Sequence, residues 1–289
     1  MWGSNIVVSV MRPAEILVLD QATGDFVKKA TITSNARAIL SQSGTVWDDS
    51  LIIGTSIGEQ DSFVDSYSGC TFVGELVRWD LESNNLIWRV KMSDPMNNYP
   101  LMPTGFSGMP IMGSSPAFSV TQGLIAISVG SLICKPTWYA ACEALINCTA
   151  NVSSLNYTHY ANSYEECHNN GTAATALFNS IAVFDYENGA LKWHEKLLGH
   201  RAWKFACLGF NSTTPCLQTT GVSDPSIPCL FKDNPYSNCP TEHESCSNVY
   251  DWVNDPTLQI HSNGEETLYV MQHSGIIYAC LLYTSDAAD

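Results

Sequence analysis

The chain has 289 residues, of which 45% are hydrophobic and 14% charged, so it holds enough apolar material for a buried core and too little charge for extensive disorder. Its 28 acidic and 13 basic residues give a net charge of −15, which would repel nucleic-acid phosphates and anionic membrane surfaces. We therefore expect a folded protein with no nucleic-acid partner. The longest apolar run, Gly123 to Cys134, is shorter than the roughly 18 residues of a membrane-spanning helix, so we expect no membrane span.

The N-terminus predicts a β-strand. Residues Ile6 to Met11 form a run rich in β-branched side chains. The residues before them include neither a basic segment nor a small-residue cleavage site, so the start of the chain does not read as a signal peptide.

Three segments repeat one pattern, in which a β-rich run ends in Asp, with Gly or Asn four residues later and a long or aromatic side chain eight residues later. The Asp can accept backbone N–H bonds in a tight turn, and Gly or Asn adopts the left-handed conformation that β-branched residues resist. The pattern predicts three hairpins, with the two tryptophans packed between neighbouring units. The positions are Asp20, Gly24 and Lys28; Asp80, Asn84 and Trp88; and Asp185, Gly189 and Trp193.

Further strand-like runs cover residues 50–56 and 123–129, and a hairpin over 267–280 turns at Ser274-Gly275. No long window has helical periodicity. Many short strands, turn signals and an internal repeat predict an all-β protein, and more specifically a β-propeller of four-stranded blades. The repeats are 60 and 105 residues apart, and polar insertions account for the excess over a blade of about 40–50 residues.

Ten of the eleven cysteines lie after residue 130, and their spacings form no paired C-x-x-C units, which favours disulfides over a zinc site. N-glycosylation sequons cluster in the same region. We expect a disulfide- and glycan-rich insertion over residues 135–175, a second cysteine-rich insertion over 208–250, and a secreted or luminal location. The sequons lie at Asn147, Asn151, Asn156, Asn170 and Asn211.

The repeats resemble the tryptophan-docking motif of pyrroloquinoline quinone (PQQ) propellers. Further motifs follow in the order found in the polyvinyl-alcohol-dehydrogenase-like branch of that family, and the resemblance covers about Ile6 to Cys280. These motifs are Gly54-Thr55-Ser56-Ile57-Gly58-Glu59, Cys70-Thr71-Phe72-Val73-Gly74, Gly113-Ser114-Ser115-Pro116, Trp193-x5-Gly199-x3-Trp203-x3-Cys207 and Asn238-Cys239-Pro240.

This resemblance implies a quinoprotein-type propeller, eight-bladed when complete, that binds PQQ and Ca²⁺ in an axial funnel and oxidises small-molecule or polymeric alcohols. In such an enzyme a carboxylate takes the alcohol proton, hydride passes to the quinone, and the cation polarises the quinone carbonyl. The resemblance assigns Glu59 and Ser131 to the metal. It assigns Cys70, Met112 and Trp203 to the cofactor.

Several positions depart from the family pattern. Gly69 precedes Cys70 where the family has two adjacent cysteines, Met112 replaces a tryptophan that stacks on the quinone, and Ser131 replaces an asparagine ligand. Arg201 occupies the position of the catalytic Asp, and a guanidinium, which stays protonated, cannot act as a base. The alternative hypothesis is therefore a non-catalytic secreted propeller that acts as a binding or structural module.

Residues Gly54 to Gly58 also match the G-x-S-x-G nucleophile elbow of hydrolases. That elbow needs a strand, a tight turn and then a helix. The residues after Gly58 carry no helical pattern and lead to another β-rich run, so a hydrolase is only a third alternative.

The final segment, Leu281 to Asp289, does not continue toward the expected Asp-x-x-x-Gly turn. It looks like the in-frame translation of a sequencing adaptor. We therefore expect residues 1–280 to form part of a propeller whose remaining blades lie beyond them, and the odd number of cysteines fits a partner in those blades.

Overall fold

The computed structural model of the chain contains strands and turns, and no helix occurs among the residues that it describes. None of those residues belongs to a helix that could cross a membrane. The described ranges are 1–57, 72–94, 106–111, 115–134, 175–196, 255–271, 277–282 and 287–288. The strands are β1 (Asn5–Val10), β2 (Glu15–Asp20), β3 (Phe26–Thr31), β4 (Ala38–Ile39), β5 (Thr45–Trp47), β6 (Ser50–Gly54), β7 (Ser56–Ile57), β8 (Glu75–Asp80), β9 (Asn85–Lys91), β10 (Ser107–Gly108), β11 (Ala117–Ser119), β12 (Leu124–Val129), β13 (Leu132–Cys134), β14 (Ser180–Asp185), β15 (Leu191–Lys196), β16 (Thr257–Ile260), β17 (Glu266–Met271), β18 (Ile277–Leu281) and β19 (Ala287–Ala288).

Antiparallel pairing of strands that follow one another builds four sheets, which we call blades 1 to 4. Blade 1 has the order β1-β2-β3, blade 2 β5-β6-β8-β9, blade 3 β11-β12-β14-β15 and blade 4 β16-β17-β18-β19. The short pairs β4-β7 and β10-β13 lie in the connections. No described strand of blade 4 pairs with blade 1, so the fold is a partial propeller, as the sequence predicted.

The central strands of blades 2 and 3 are buried on both faces, because each blade packs between two neighbours. In β6, Leu51 and Ile53 belong to the core shared with blade 1, and Ile52 belongs to the core shared with blade 3. Likewise Ile125 and Ala126 of β12 belong to the cores shared with blades 2 and 4. Burial on both faces explains why these strands are continuous hydrophobic runs in the sequence.

The three repeats fold into the same turn, as predicted. One carboxylate oxygen of each Asp accepts bonds from the N–H groups two and three residues later, at 2.8 to 3.2 Å. The fourth residue is left-handed in each case, with φ of +77° at Gly24, +59° at Asn84 and +72° at Gly189. Hydrogen bonds from the turn lower the pKa of Asp20 and Asp80.

The side chain at the eighth position of each repeat joins its blade to the next one. It donates a hydrogen bond to the carbonyl of the residue that follows the third strand of the next blade. This confirms that both tryptophans pack between units, and shows that a lysine makes the equivalent bond in blade 1. The bonds run from Trp88 Nε1 to Tyr186 O (2.9 Å), from Trp193 Nε1 to Leu282 O (2.8 Å) and from Lys28 Nζ to Leu81 O.

Blade 4 shows the same register without the repeat's Asp. Leu282 accepts the bond from Trp193 just as Tyr186, the residue after Asp185, accepts the bond from Trp88. Leu281 therefore stands at the Asp position. Leu282 is buried, and β19 pairs with β18 as the fourth strand.

Replacing Gly189 should destabilise the junction between blades 2 and 3. A Cβ there would lie 2.9 Å from Cδ2 of the Trp88 indole, on a backbone with φ of +72°. We expect Gly189→Ala to lower the free energy of unfolding by about 2 kcal/mol or more, measured by urea denaturation. Gly24→Ala is the matched control, because Gly24 also has positive φ but a Cβ would meet nothing within 4 Å. Equal losses in the two variants would show that the Trp88 contact contributes nothing.

The Asp185 turn should make stability depend on pH. The Lys192 ammonium, 2.9 Å away, and the turn N–H groups lower the pKa of Asp185, so its stabilising contribution is complete above the ordinary Asp pKa of about 3.9 and is lost at lower pH. We expect Asp185→Asn to lower stability at pH 7 by about 0.5–1 kcal/mol, with the difference from wild type shrinking below about pH 4. Thermal melting from pH 2.5 to 7 measures this, with exposed Asp25→Asn as control. A difference that stays constant over this range would contradict the assignment.

Candidate functional site

Of the site residues that the sequence predicts, Ser131 lies in the described part of the chain. The others lie outside it, as do the two cysteine-rich insertions apart from Thr175, so their assignments stay predictions. These residues are Glu59, Cys70, Met112, Arg201, Trp203, Asn147, Asn151, Asn156, Asn170 and Asn211.

Blade topology brings the connections that carry the predicted site residues to one edge of each blade. By edge we mean the line formed by the ends of the strands, not an outer strand. In a sheet of consecutive antiparallel strands, the connection from the second strand to the third leaves the edge at which the fourth strand also ends. The connections β6 to β8, β9 to β11 and β12 to β14 therefore share an edge, and β15 ends there too. The Asp turns of blades 2 and 3, which connect the third strand to the fourth, lie at the opposite edge.

Main-chain hydrogen bonds join three of these connections. We call residues 54–57, 107–111 and 130–131 the loop cradle. The cradle joins Ser131 to the segment that precedes Met112, and joins that segment in turn to the one that precedes Glu59. Its bonds run from Ile111 N to Thr55 O (3.0 Å), from Gly130 N to Pro110 O (2.8 Å) and from Met109 N to Ser131 O (2.8 Å).

Two glycines let the cradle backbones approach this closely. A Cβ on Gly74 would lie 1.9 Å from the Met109 carbonyl oxygen, and a Cβ on Gly54 would lie 2.4 Å from Cγ2 of Ile111. Both glycines belong to motifs that the sequence analysis singled out, and the structure supplies the steric reason for them.

Gln42 is a cradle contact that sequence reasoning missed. It is buried, and its Nε2 donates to the Ile111 carbonyl at 3.1 Å. It lies in the connection before β5, in no motif, and 69 residues away from its partner. No local pattern could have identified a contact over that distance.

Ser131 is buried beside a second polar residue that the sequence did not single out. Its Oγ donates to Asn179 Oδ1 at 2.9 Å, and Asn179 has a left-handed backbone with φ of +48°. Hydroxyl and amide oxygens suit Ca²⁺, but that ion takes six to eight oxygen ligands, usually with carboxylates among them. The described residues contain no group of three or more His, Cys, Asp or Glu side chains that could hold a metal. The described donors alone therefore do not constitute a Ca²⁺ site.

The hydrolase alternative does not fit the geometry at Ser56. A nucleophile elbow exposes its serine on a turn between a strand and a helix. Ser56 instead lies within β7, pairs with Ile39 and is fully buried. The described residues on either side of it contain no helix.

No family model and no curated protein matches the sequence. Solved structures do match. A europium-containing methanol dehydrogenase superposes with a TM-score of 0.57 at 13% identity, over 99% of this chain and 39% of that one. Quinohemoprotein alcohol dehydrogenases from Pseudomonas putida and Comamonas testosteroni both give 0.53, at 11% and 13% identity, over 100% of this chain and 33% and 34% of theirs.

The chain thus spans between a third and two fifths of the length of these dehydrogenases. At such low identity the likeness concerns the fold, and it agrees with the blades described above. The chain has the propeller fold found in these alcohol dehydrogenases.

Substitution of Gly74 should disrupt the cradle specifically. Because its Cβ would collide with a backbone oxygen that cannot rotate away, we expect Gly74→Ala to cost about 2–3 kcal/mol in unfolding free energy and to speed amide hydrogen exchange in residues 107–111. Gly130→Ala is the matched control, since its nearest contact would be Pro110 Cγ at 3.0 Å. If both variants exchange like wild type in that segment, the close approach at Gly74 does not hold the cradle together.

Proposed function

We propose that the chain belongs to a PQQ- and Ca²⁺-dependent alcohol dehydrogenase-like protein that acts in a secreted or luminal setting, and that the loop cradle forms part of the wall of its axial site. The cradle is the observation that supports this proposal most directly. It joins the connections that carry Glu59, Met112 and Ser131, positions that the sequence resemblance assigns to one site although they span more than 70 residues.

In this proposal the chain's own residues bind and orient the cofactor. The Met112 thioether would contact the quinone, with less area than a tryptophan would give. Glu59 and Ser131 would supply oxygen donors to the cation, and Cys70 and Trp203 would contribute to the cofactor pocket. PQQ, when bound, accepts the hydride of the alcohol.

Arg201 is incompatible with the proton-transfer step of this reaction. A guanidinium stays protonated and cannot take the alcohol proton, and its charge would also oppose a nearby cation. Low or absent turnover is therefore expected of the natural sequence.

A non-catalytic binding or structural module is the second candidate. Three replacements favour it: Ser131 for an asparagine ligand, Met112 for a stacking tryptophan and Arg201 for the catalytic Asp of the family pattern. The hydrogen bond from Ser131 to Asn179 does not decide between the candidates, because the hydroxyl keeps lone pairs for a cation. In this alternative the propeller scaffold is retained without the dehydrogenase reaction.

The two candidates are separated by a titration of the full-length protein with PQQ at saturating Ca²⁺, followed by quinone absorbance and by dye-linked oxidation of alcohols. We expect cofactor binding with little turnover, and we expect Arg201→Asp to raise turnover at least about tenfold, because a positioned base contributes 10²–10⁴-fold. Arg201→Ala is the control that removes the cation without adding a base. Absence of any spectral change at every PQQ concentration would rule out the quinoprotein proposal and favour the binding module.

A further inference from the structure

Two Asn-Gly pairs, Asn188-Gly189 and Asn263-Gly264, lie in the part of the chain that the structure describes. An asparagine that precedes a glycine can cyclise, because the glycine nitrogen can attack the side-chain amide carbon and glycine has no side chain to obstruct the attack. The two pairs are identical in sequence, so the fold is the main source of any difference between their reactivities.

The hydrogen bonds around the two pairs are also alike. Each asparagine is exposed, and its Oδ1 accepts a bond from the N–H group two residues later, at 2.8 Å from Ala190 and 3.0 Å from Glu265. Each glycine N–H donates at 2.9 Å to a backbone carbonyl of its own turn, that of Asp185 or that of His261. The local hydrogen bonds therefore do not distinguish the pairs.

The surroundings of the two glycines do distinguish them. Gly189 is buried, and a Cβ there would lie 2.9 Å from the Trp88 indole, so this turn cannot rearrange without opening the junction between blades 2 and 3. Gly264 is exposed in the loop between β16 and β17, and a Cβ there would meet nothing within 4 Å. Asn263 makes one further bond, from Nδ2 to Glu265 Oε2 at 2.6 Å, but both residues are exposed and water competes for these groups.

We propose that Asn263 is a site of spontaneous deamidation, and that the blade junction protects Asn188 from the same reaction. The Gly264 nitrogen loses its proton to solvent and bonds to Cγ of Asn263. The bond from Cγ to Nδ2 breaks, and this nitrogen takes a proton from solvent and leaves as ammonia. Water then opens the succinimide ring at either carbonyl and yields aspartate or isoaspartate, so water is consumed and ammonia released without any oxidant or reductant. This site does not depend on the proposed dehydrogenase function.

The reaction changes a loop that leads directly into the buried Glu266. Both products add a negative charge beside the exposed Glu265, and isoaspartate also lengthens the main chain by a methylene group. The strands on either side of the loop are paired up to their ends, with Ile260 opposite Glu266. We therefore expect the isoaspartate form of the chain to be less stable in blade 4.

The experiment incubates the intact chain in mildly alkaline buffer, which promotes deprotonation of the glycine nitrogen, and follows both asparagines by peptide mapping with mass spectrometry. We expect Asn263 to be converted at least about tenfold faster than Asn188, since Asn188 reacts only when its turn opens locally. In concentrated urea the two should be converted at similar rates. Asn263→Gln should remove the fast conversion, because cyclisation then needs a larger ring, and Asn188→Gln should leave it in place.

A variant at the junction tests the protection of Asn188. Trp88→Leu removes the indole beside Gly189 but keeps an apolar residue, and it should speed the conversion of Asn188 while leaving that of Asn263 unchanged. A cooperative thermal transition shows that the variant is folded. Conversion of Asn263 no faster than that of Asn188 in the folded chain, or a difference that persists in urea, would overturn the proposal, as would a folded Trp88→Leu variant in which Asn188 reacts no faster.

Discussion

The hydrogen bond between one blade and the carbonyl that follows the third strand of the next blade is the constraint on which the fold depends. A blade is apolar on both faces and cannot bury both alone, so it needs neighbours in a fixed register. Apolar packing has little directionality, whereas the bond from Trp88 Nε1 to Tyr186 O fixes one position on each blade. Arg78 adds to the same junction, because its NH1 donates to Tyr186 O at 3.0 Å and its guanidinium lies 3.6 Å from the centre of the Tyr186 ring. One carbonyl therefore collects two donors from the adjacent blade.

The junction between blades 3 and 4 uses a different polar device in addition to Trp193. Glu266 is fully buried, and Ser119 Oγ, from β11, donates to its Oε2 at 2.5 Å, with Thr121 donating to the other oxygen. A buried carboxylate without hydrogen-bond partners lowers the stability of the fold, so Glu266 depends on these two hydroxyl groups. A shift of blade 4 along blade 3 would separate the Glu266 carboxylate from these two hydroxyl groups and leave it buried without partners. A purely apolar interface would tolerate the same shift. Polar contacts thus set the register at both junctions, and apolar burial provides most of the cohesion.

An interaction in this structure could be predicted from the sequence when its residues lie close together along the chain. The turns at Asp20, Asp80 and Asp185 could be predicted residue by residue, since every group that forms them lies within five positions of the Asp. The role of Trp88 and Trp193 could be predicted as packing between units, but not their acceptors, which are 98 and 89 residues away. The sequence places Lys28 at the position that tryptophan occupies in the other two repeats. Its bond to Leu81 could not be predicted, because a lysine on a strand ordinarily extends into solvent. The contact of Gln42 with Ile111 and the pairing of Ser131 with Asn179 belong to the same class, as they join residues from different connections that share no local pattern.

The topology separates the turns of the repeats from the connections that carry the proposed site. The Asp turns lie at the blade edge opposite the loop cradle, because third-to-fourth connections and second-to-third connections leave opposite ends of antiparallel strands. A substitution in a connection at the cradle edge therefore leaves the turn bonds and the tryptophan acceptors at the other edge unchanged. Distant sites of this kind contribute to stability almost independently. Substitutions in these connections can consequently alter the proposed site without weakening the junctions between blades. Gly74, which packs against the cradle at Met109, is different, since it admits no side chain whatever ligand the site holds. The close approach of the two backbones therefore constrains residue 74 independently of the chemistry of the site.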